Sequence, residues 1–132
     1  GWADALIIDD SYNANPGSMK AALEVLALEP ARQIALLGAM AELGAEAEAL
    51  HRGVGAHARA LGIDELLVVG TSTNCSALAA GFGGQAQVFD TQEQAVDWLQ
   101  KNIADPMTVL VKGSRSAAMD KAVMLLQEKV GH

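Results

Sequence analysis

The stretch ALIIDDSYNANPGS, Ala5 to Ser18, decides what kind of sheet this chain builds. Ala5-Leu6-Ile7-Ile8 is an apolar run without the alternation of a half-exposed strand, so it reads as a strand covered on both faces. Directly behind it stand Asp9, Asp10, Ser11, Tyr12, Asn13 and Asn15, an unusual polar load for the end of a buried strand. Asn15 before Pro16 suits a helix N-cap followed by proline at the first helical position, with Ser18 as a rival cap. Strand, polar loop and capped helix together make one βα unit.

The unit repeats. Apolar runs bounded by turn signals span Ala5 to Asp9, Gln33 to Gly38, Glu65 to Gly70, Gln87 to Asp90 and Thr108 to Lys112. The run around Val88-Phe89 is the weakest and belongs toward an edge. Between the runs, Met19/Ala22/Leu23/Leu26, Leu50/Val54/Ala58/Leu61, Ala95/Trp98/Leu99/Ile103 and Met119/Ala122/Val123/Leu126 keep helical spacing. A short helix is expected over Ser76 to Ala80, Ser116 is a candidate cap for the last helix, and Glu29-Pro30 and Asp105-Pro106 are expected to close theirs. Strands alternating with helices predict the α/β class: one three-layer αβα, Rossmann-like domain over residues 1–132, with a mostly parallel sheet of about five strands.

Composition narrows the partners. A formal charge of −7 and a pI near 4.7 disfavour nucleic acid or an anionic membrane, which need clustered Lys and Arg. The one cysteine, Cys75, permits no internal disulfide and reads as a small buried residue. No apolar stretch approaches the roughly 18 residues of a membrane span, and no signal-peptide pattern opens the chain, so a cytoplasmic home is expected. The first residues are Gly1-Trp2 rather than Met, and the chain is expected to be a piece of a longer protein.

In an open parallel sheet, ligands bind outside the carboxyl ends of the strands. Four predicted strands end in polar or glycine-rich loops there: Asp9 to Pro16, Gly38 to Gly44, Gly70 to Asn74, and Lys112-Gly113-Ser114-Arg115-Ser116. The first reads either as turn and cap chemistry or as a ligand wall. The last reads either as a capped loop with solvated charges or as an anion clamp of cations, hydroxyls and helix-terminal N–H groups. Glu42 and His51 are a candidate hydrogen-bonded pair that positions the second loop. His51 and His57 lie on different sides of a helix, so no metal site is assigned. Gly53-Val54-Gly55 follows no strand and is no dinucleotide fingerprint, and there is no G-x-x-x-x-G-K-[ST] phosphate loop.

Three segments in order carry a resemblance: Asp9-Asp10-Ser11-Tyr12-Asn13-Ala14-Asn15-Pro16-Gly17-Ser18-Met19; Leu37-Gly38-Ala39-Met40-Ala41-Glu42-Leu43-Gly44 followed by His51; and Val111-Lys112-Gly113-Ser114-Arg115-Ser116 with Met119. Together they resemble the C-terminal domain of the bacterial Mur ligases, and the Tyr-Asn-Ala-Asn-Pro form selects the branch that adds D-alanyl-D-alanine. The resemblance implies a three-domain cytoplasmic enzyme of peptidoglycan synthesis. In it, ATP phosphorylates the terminal carboxylate of UDP-N-acetylmuramoyl-tripeptide, and the amine of D-alanyl-D-alanine attacks the acyl phosphate. ATP and Mg2+ would be held mainly by a central ATPase domain acting in cis. This third domain would close over the nucleotide and position the dipeptide, with no catalytic residue of its own and no activity alone.

By position, the resemblance puts Asp10, Tyr12, Asn13 and Asn15 on the nucleotide side and Lys112, Ser114, Arg115 and Ser116 on the amino-substrate side. Two departures stand out. Position 39 is alanine where the family usually has aspartate, and a preceding segment with a Gly-Arg pair and a strand hairpinned onto the first strand is expected to be absent. The rival readings are a non-catalytic ligase-like binding module and a sister Mur ligase with another amino substrate.

Overall fold

A computed structural model describes residues 5–104 and 106–130. The strands are β1 (Leu6–Asp10), β2 (Arg32–Gly38), β3 (Glu65–Val69), β4 (Gln87–Phe89) and β5 (Met107–Lys112). The main helices are α1 (Pro16–Leu26), α2 (Ala47–Ala60), α3 (Thr73–Phe82), α4 (Gln92–Asn102) and α5 (Met119–Val130). Single 3-10 turns at Gly44–Glu46 and Arg115–Ala117 precede α2 and α5. All four strand pairings are parallel, in the order β1-β5-β2-β3-β4. The weak fourth run is the edge strand its sequence suggested, and β1 lies at the other edge.

Burial explains the unbroken apolar runs of β2, β3 and β5, but not that of β1, which was expected to be covered on both faces: as an edge strand it is only partly covered, Leu6 is 51% exposed and none of its residues is buried. In β2, Ala35 and Leu37 face one side of the sheet and Ile34 and Leu36 the other, and all four are fully buried. The first layer packs Met19, Leu23 and Leu26 of α1, Val54 and Ala58 of α2, and Leu78 and Phe82 of α3. The second packs Ala95 and Leu99 of α4 and Met119, Ala122 and Leu126 of α5. A chain whose crossovers stay right-handed must change faces when its strand order reverses. That reversal comes at the return from β4 to β5.

Asn15 caps α1 in a reciprocal capping box: its side chain accepts from Ser18 N–H, while Ser18 Oγ accepts from Asn15 N–H. Both proposed cap residues are therefore used. Three local expectations are corrected. The short helix expected over Ser76 to Ala80 is the ten-residue α3, capped by Ser72, because Cys75, Leu78 and Phe82 form a longer buried stripe than spacing around Ser76 suggested. Helix α1 ends at Leu26, ahead of Glu29-Pro30, with Ala27 N–H satisfied by Leu23 O. Ser116 does not cap α5: it lies inside a 3-10 turn, and α5 begins only after Ala118, held at φ 54°. Asp105 falls outside the described residues.

Candidate functional site

The helix after β5 packs on the opposite face from the helices after β1 and β2. Loops leaving neighbouring strands therefore diverge on both sides of the β5 carboxyl end, and a cleft opens on the β2 side.

On the β1 side, Asp10 and Lys112 are register partners at the strand ends. Lys112 Nζ donates to Asp10 Oδ2 at 2.7 Å and to the carbonyl of Asn13 at 2.9 Å. The Lys112 side chain is 3% exposed, the Asp10 side chain 47%. Asp9 is turned to local work: its carboxylate accepts from Ser11 N–H and from Ser11 Oγ at 2.6 Å. Further out, the Arg115 guanidinium lies 5.2 Å above the centroid of the Tyr12 ring, a cation–π contact between the first and last loops. Tyr12 is nonetheless 73% exposed.

On the β2 side, the strands approach through glycine. A Cβ on Gly38 would come within 2.6 Å of Ala117 Cβ, and one on Gly113 within 2.8 Å of Met119 Cγ. Ser114 N–H donates to Ala39 O at 2.9 Å, and Ser114 Oγ lies 3.0 Å from Ser116 Oγ. Here an open cleft of about 300 Å3 has apolar groups from Ala39, Met40 and Cys75 and hydroxyls from Thr71, Ser72, Ser114 and Ser116. Asp90 and Gln92 complete it, and Gln92 Nε2 donates to the carbonyls of Ala117 and Ala118. Helix α4 thus braces the turn that carries the serines.

His51 fixes the Met40 loop from beneath. It is fully buried: Nε2 accepts from Met40 N–H at 2.8 Å and Nδ1–H donates to Ala47 O at 2.6 Å. An Nε2 that accepts requires the proton on Nδ1, so the tautomer follows from the bonds. The expected Glu42 partnership does not form. Glu42 is exposed at φ 60°, and both ring nitrogens are already taken by backbone groups. His51 thus ties Met40 to α2, and Glu42 is not its partner.

The structure brings the two expected groups of residues together more closely than their division implied. Lys112, expected among the amino-substrate residues, is joined to the Asp10–Asn13 loop and is not in the cleft wall. Asn13 and Asn15 use their side-chain oxygens on Ala14 N–H and Ser18 N–H, which is the turn and cap reading, and keep their amide NH2 groups without partners among the described residues. Sequence reasoning missed Asp90 and Gln92, which follow the short edge strand β4. The available signal was that β4, like the other strands, must end on the same rim. For Mg2+ the donors do not fit: Asp9 is engaged by Ser11 and Asp10 by Lys112, and no three His, Cys, Asp or Glu side chains gather among the described residues. No helix among those residues is long and apolar enough to cross a membrane.

A parallel sheet with polar loops converging at its switch point defines a Rossmann-like domain. Comparison with known families identifies it further: the Mur ligase, glutamate ligase domain family matches residues 2–115, and the chain belongs to that family. It is 48% identical over 125 residues to the UDP-N-acetylmuramoyl-tripeptide–D-alanyl-D-alanine ligase of Escherichia coli K12, covering 93% of this chain and 27% of that enzyme. Among solved structures, MurF from Acinetobacter baumannii superimposes with a TM-score of 0.81 at 32% identity, over 92% of this chain and 27% of that one. MurF ligase from Thermotoga maritima in complex with ADP gives 0.85 at 23% identity, over 97% and 29%, a likeness of fold. The chain spans about a quarter of the length of the relatives it matches.

Proposed function

We propose that this chain is the C-terminal domain of a cytoplasmic, ATP-dependent ligase that joins D-alanyl-D-alanine to UDP-N-acetylmuramoyl-tripeptide in peptidoglycan synthesis. The observation that carries the reading is the union of the Asp10–Asn15 and Gly113–Ser116 loops around the end of β5, through Lys112 below and Arg115 on Tyr12 above. Membership of the Mur ligase family and the identity to the Escherichia coli enzyme supply the reaction.

In this reading the domain contributes placement. The exposed Tyr12 face and the NH2 groups of Asn13 and Asn15 form the nucleotide side. The cleft takes the dipeptide; Ser114 and Ser116 offer its carboxylate hydroxyl donors, and Arg115, between them in sequence, is the cation that would meet it on leaving the Tyr12 ring. Its volume of about 300 Å3 suits a small ligand. Holding the dipeptide's amine against an acyl phosphate formed on a central ATPase domain turns an encounter in solution into a local one, which is the main catalytic gain open to a domain without a nucleophile or base. Mg2+ belongs to the central domain in this scheme, and no step here passes through it. Ala39, at the cleft wall where the family usually has aspartate, adds no charge.

The test is amide formation by the full-length protein with ATP, UDP-N-acetylmuramoyl-tripeptide and a panel of amines. D-alanyl-D-alanine is expected to be the preferred acceptor. Preference for a single amino acid would assign a sister ligase, and no amide with any acceptor would leave a binding module.

A further inference from the structure

Lys112 belongs by sequence to the loop expected to meet the amino substrate, yet its geometry serves the other loop. Its ammonium is almost wholly enclosed and already donates to two acceptors, one a carboxylate and one a backbone carbonyl three residues past the end of β1. We infer that Lys112 is a positioning residue for the nucleotide side of the site: held by the rigid, buried strand β5, it fixes the Asp10–Asn13 loop and the Tyr12 ring carried on it. This inference rests on the ligase reading above.

Three features support it. First, β1 pairing ends at Asp10, and Tyr12 and Asn13 make no backbone hydrogen bond to another element among the described residues. The Lys112–Asn13 bond, spanning 99 positions of sequence, is therefore a long-range hydrogen bond on that turn, beside the outer Arg115–Tyr12 cation–π contact. Second, a compact ammonium with three rotatable donors can serve a carboxylate and a carbonyl set at different angles, which a planar guanidinium fork does poorly. Third, a side chain 3% exposed presents almost none of its surface to solvent, from which a dipeptide carboxylate would arrive. Arg115, exposed three residues on and stacked on the Tyr12 ring, is the more accessible cation.

The experiment uses the full-length ligase with Lys112→Met, Lys112→Arg and Asp10→Asn, each checked for folding by its thermal transition. Hydrogen exchange of peptides covering residues 10–15 reads the positioning directly, and initial rates read the KM for ATP and for the dipeptide separately. Lys112→Met is expected to speed exchange in that loop and raise the KM for ATP about tenfold or more, with the dipeptide KM changed by less than about twofold. Lys112→Arg should fall between wild type and Lys112→Met. Asp10→Asn, which keeps the Asn13 bond, should speed loop exchange less than Lys112→Met does. A dipeptide KM that rises as much as the ATP KM, or unchanged loop exchange in Lys112→Met, overturns the inference. Should Lys112→Met fail to fold, Lys112→Arg decides by the same criteria. Failure of the ligase reading is separate: it would show as wild-type enzyme making no amide, whereas the exchange result needs no turnover.

Discussion

Replacing Gly55 by alanine should destabilise the domain, whereas the same change two residues earlier should stabilise it. Both glycines lie in α2, and alanine favours a helix interior over glycine by about 1 kcal/mol. At Gly53 nothing lies within 4 Å of the added methyl, so Gly53→Ala should gain most of that. At Gly55 the methyl would stand 2.0 Å from Leu78 O, against the 3.4 Å at which ordinary contact begins, a shortfall of about 1.4 Å. The obstacle is the backbone of α3, and the approach is mutual: a methyl on Gly81 would stand 2.0 Å from Arg52 O. No rotamer change relieves such a clash, so the helices must separate over buried Val54, Ala58 and Leu78. Overpacking of this kind costs about 1–3 kcal/mol or more, and with a rigid obstacle the upper end applies. After the helix-propensity gain, a net loss of about 2 kcal/mol remains, a fall in Tm of roughly 6–10 °C at this chain length. Urea and thermal unfolding of the two variants beside wild type measure the difference. Equal stability of Gly55→Ala and Gly53→Ala would refute the close helix contact. The contact matters for function because α2 carries His51 and α3 begins at the cleft.

Other perturbations separate structural from ligand-facing residues. His51→Ala removes the acceptor of Met40 N–H inside the protein and should cost about 2–4 kcal/mol by urea unfolding, from the lost packing and an orphaned buried donor. Arg115→Gln loses only an exposed cation–π contact and should shift stability by less than about 1 kcal/mol, yet raise the dipeptide KM of the full-length ligase. The hydrogen bond from Lys121 holds the exposed Glu93 carboxyl below its ordinary pKa. A depressed carboxyl contributes stability above its unfolded pKa and loses it as pH falls through the folded value. The small deficit of Glu93→Gln at neutral pH should therefore close in acid, which paired unfolding curves at the two pH values would show.

How much was legible depended on the range of the interaction. Strand positions came within a residue or two because unbroken apolar runs have few other homes, and Asn15-Pro16 marked the start of α1 through a cap of three residues' reach. The rim followed from one rule about strand ends. What sequence could not show was pairing across the chain. Asp10 and Lys112 stand 102 positions apart, and only the β1–β5 register brings them together, turning an apparent anion clamp into an internal brace. The Glu42–His51 pair failed for the opposite reason: local chemistry looked sufficient, but backbone groups at Met40 and Ala47 occupied the ring first. Asp90 and Gln92 stayed hidden because a three-residue strand gives little periodicity to read.

The central claim is that this domain supplies one wall of a ligase site completed by another domain, and a single comparison tests it most directly. Amide formation from ATP, UDP-N-acetylmuramoyl-tripeptide and D-alanyl-D-alanine should be measured for the full-length protein and for these 132 residues alone. The account predicts turnover by the first and none by the second. Turnover by the 132 residues alone, or none by the full-length protein, would contradict it.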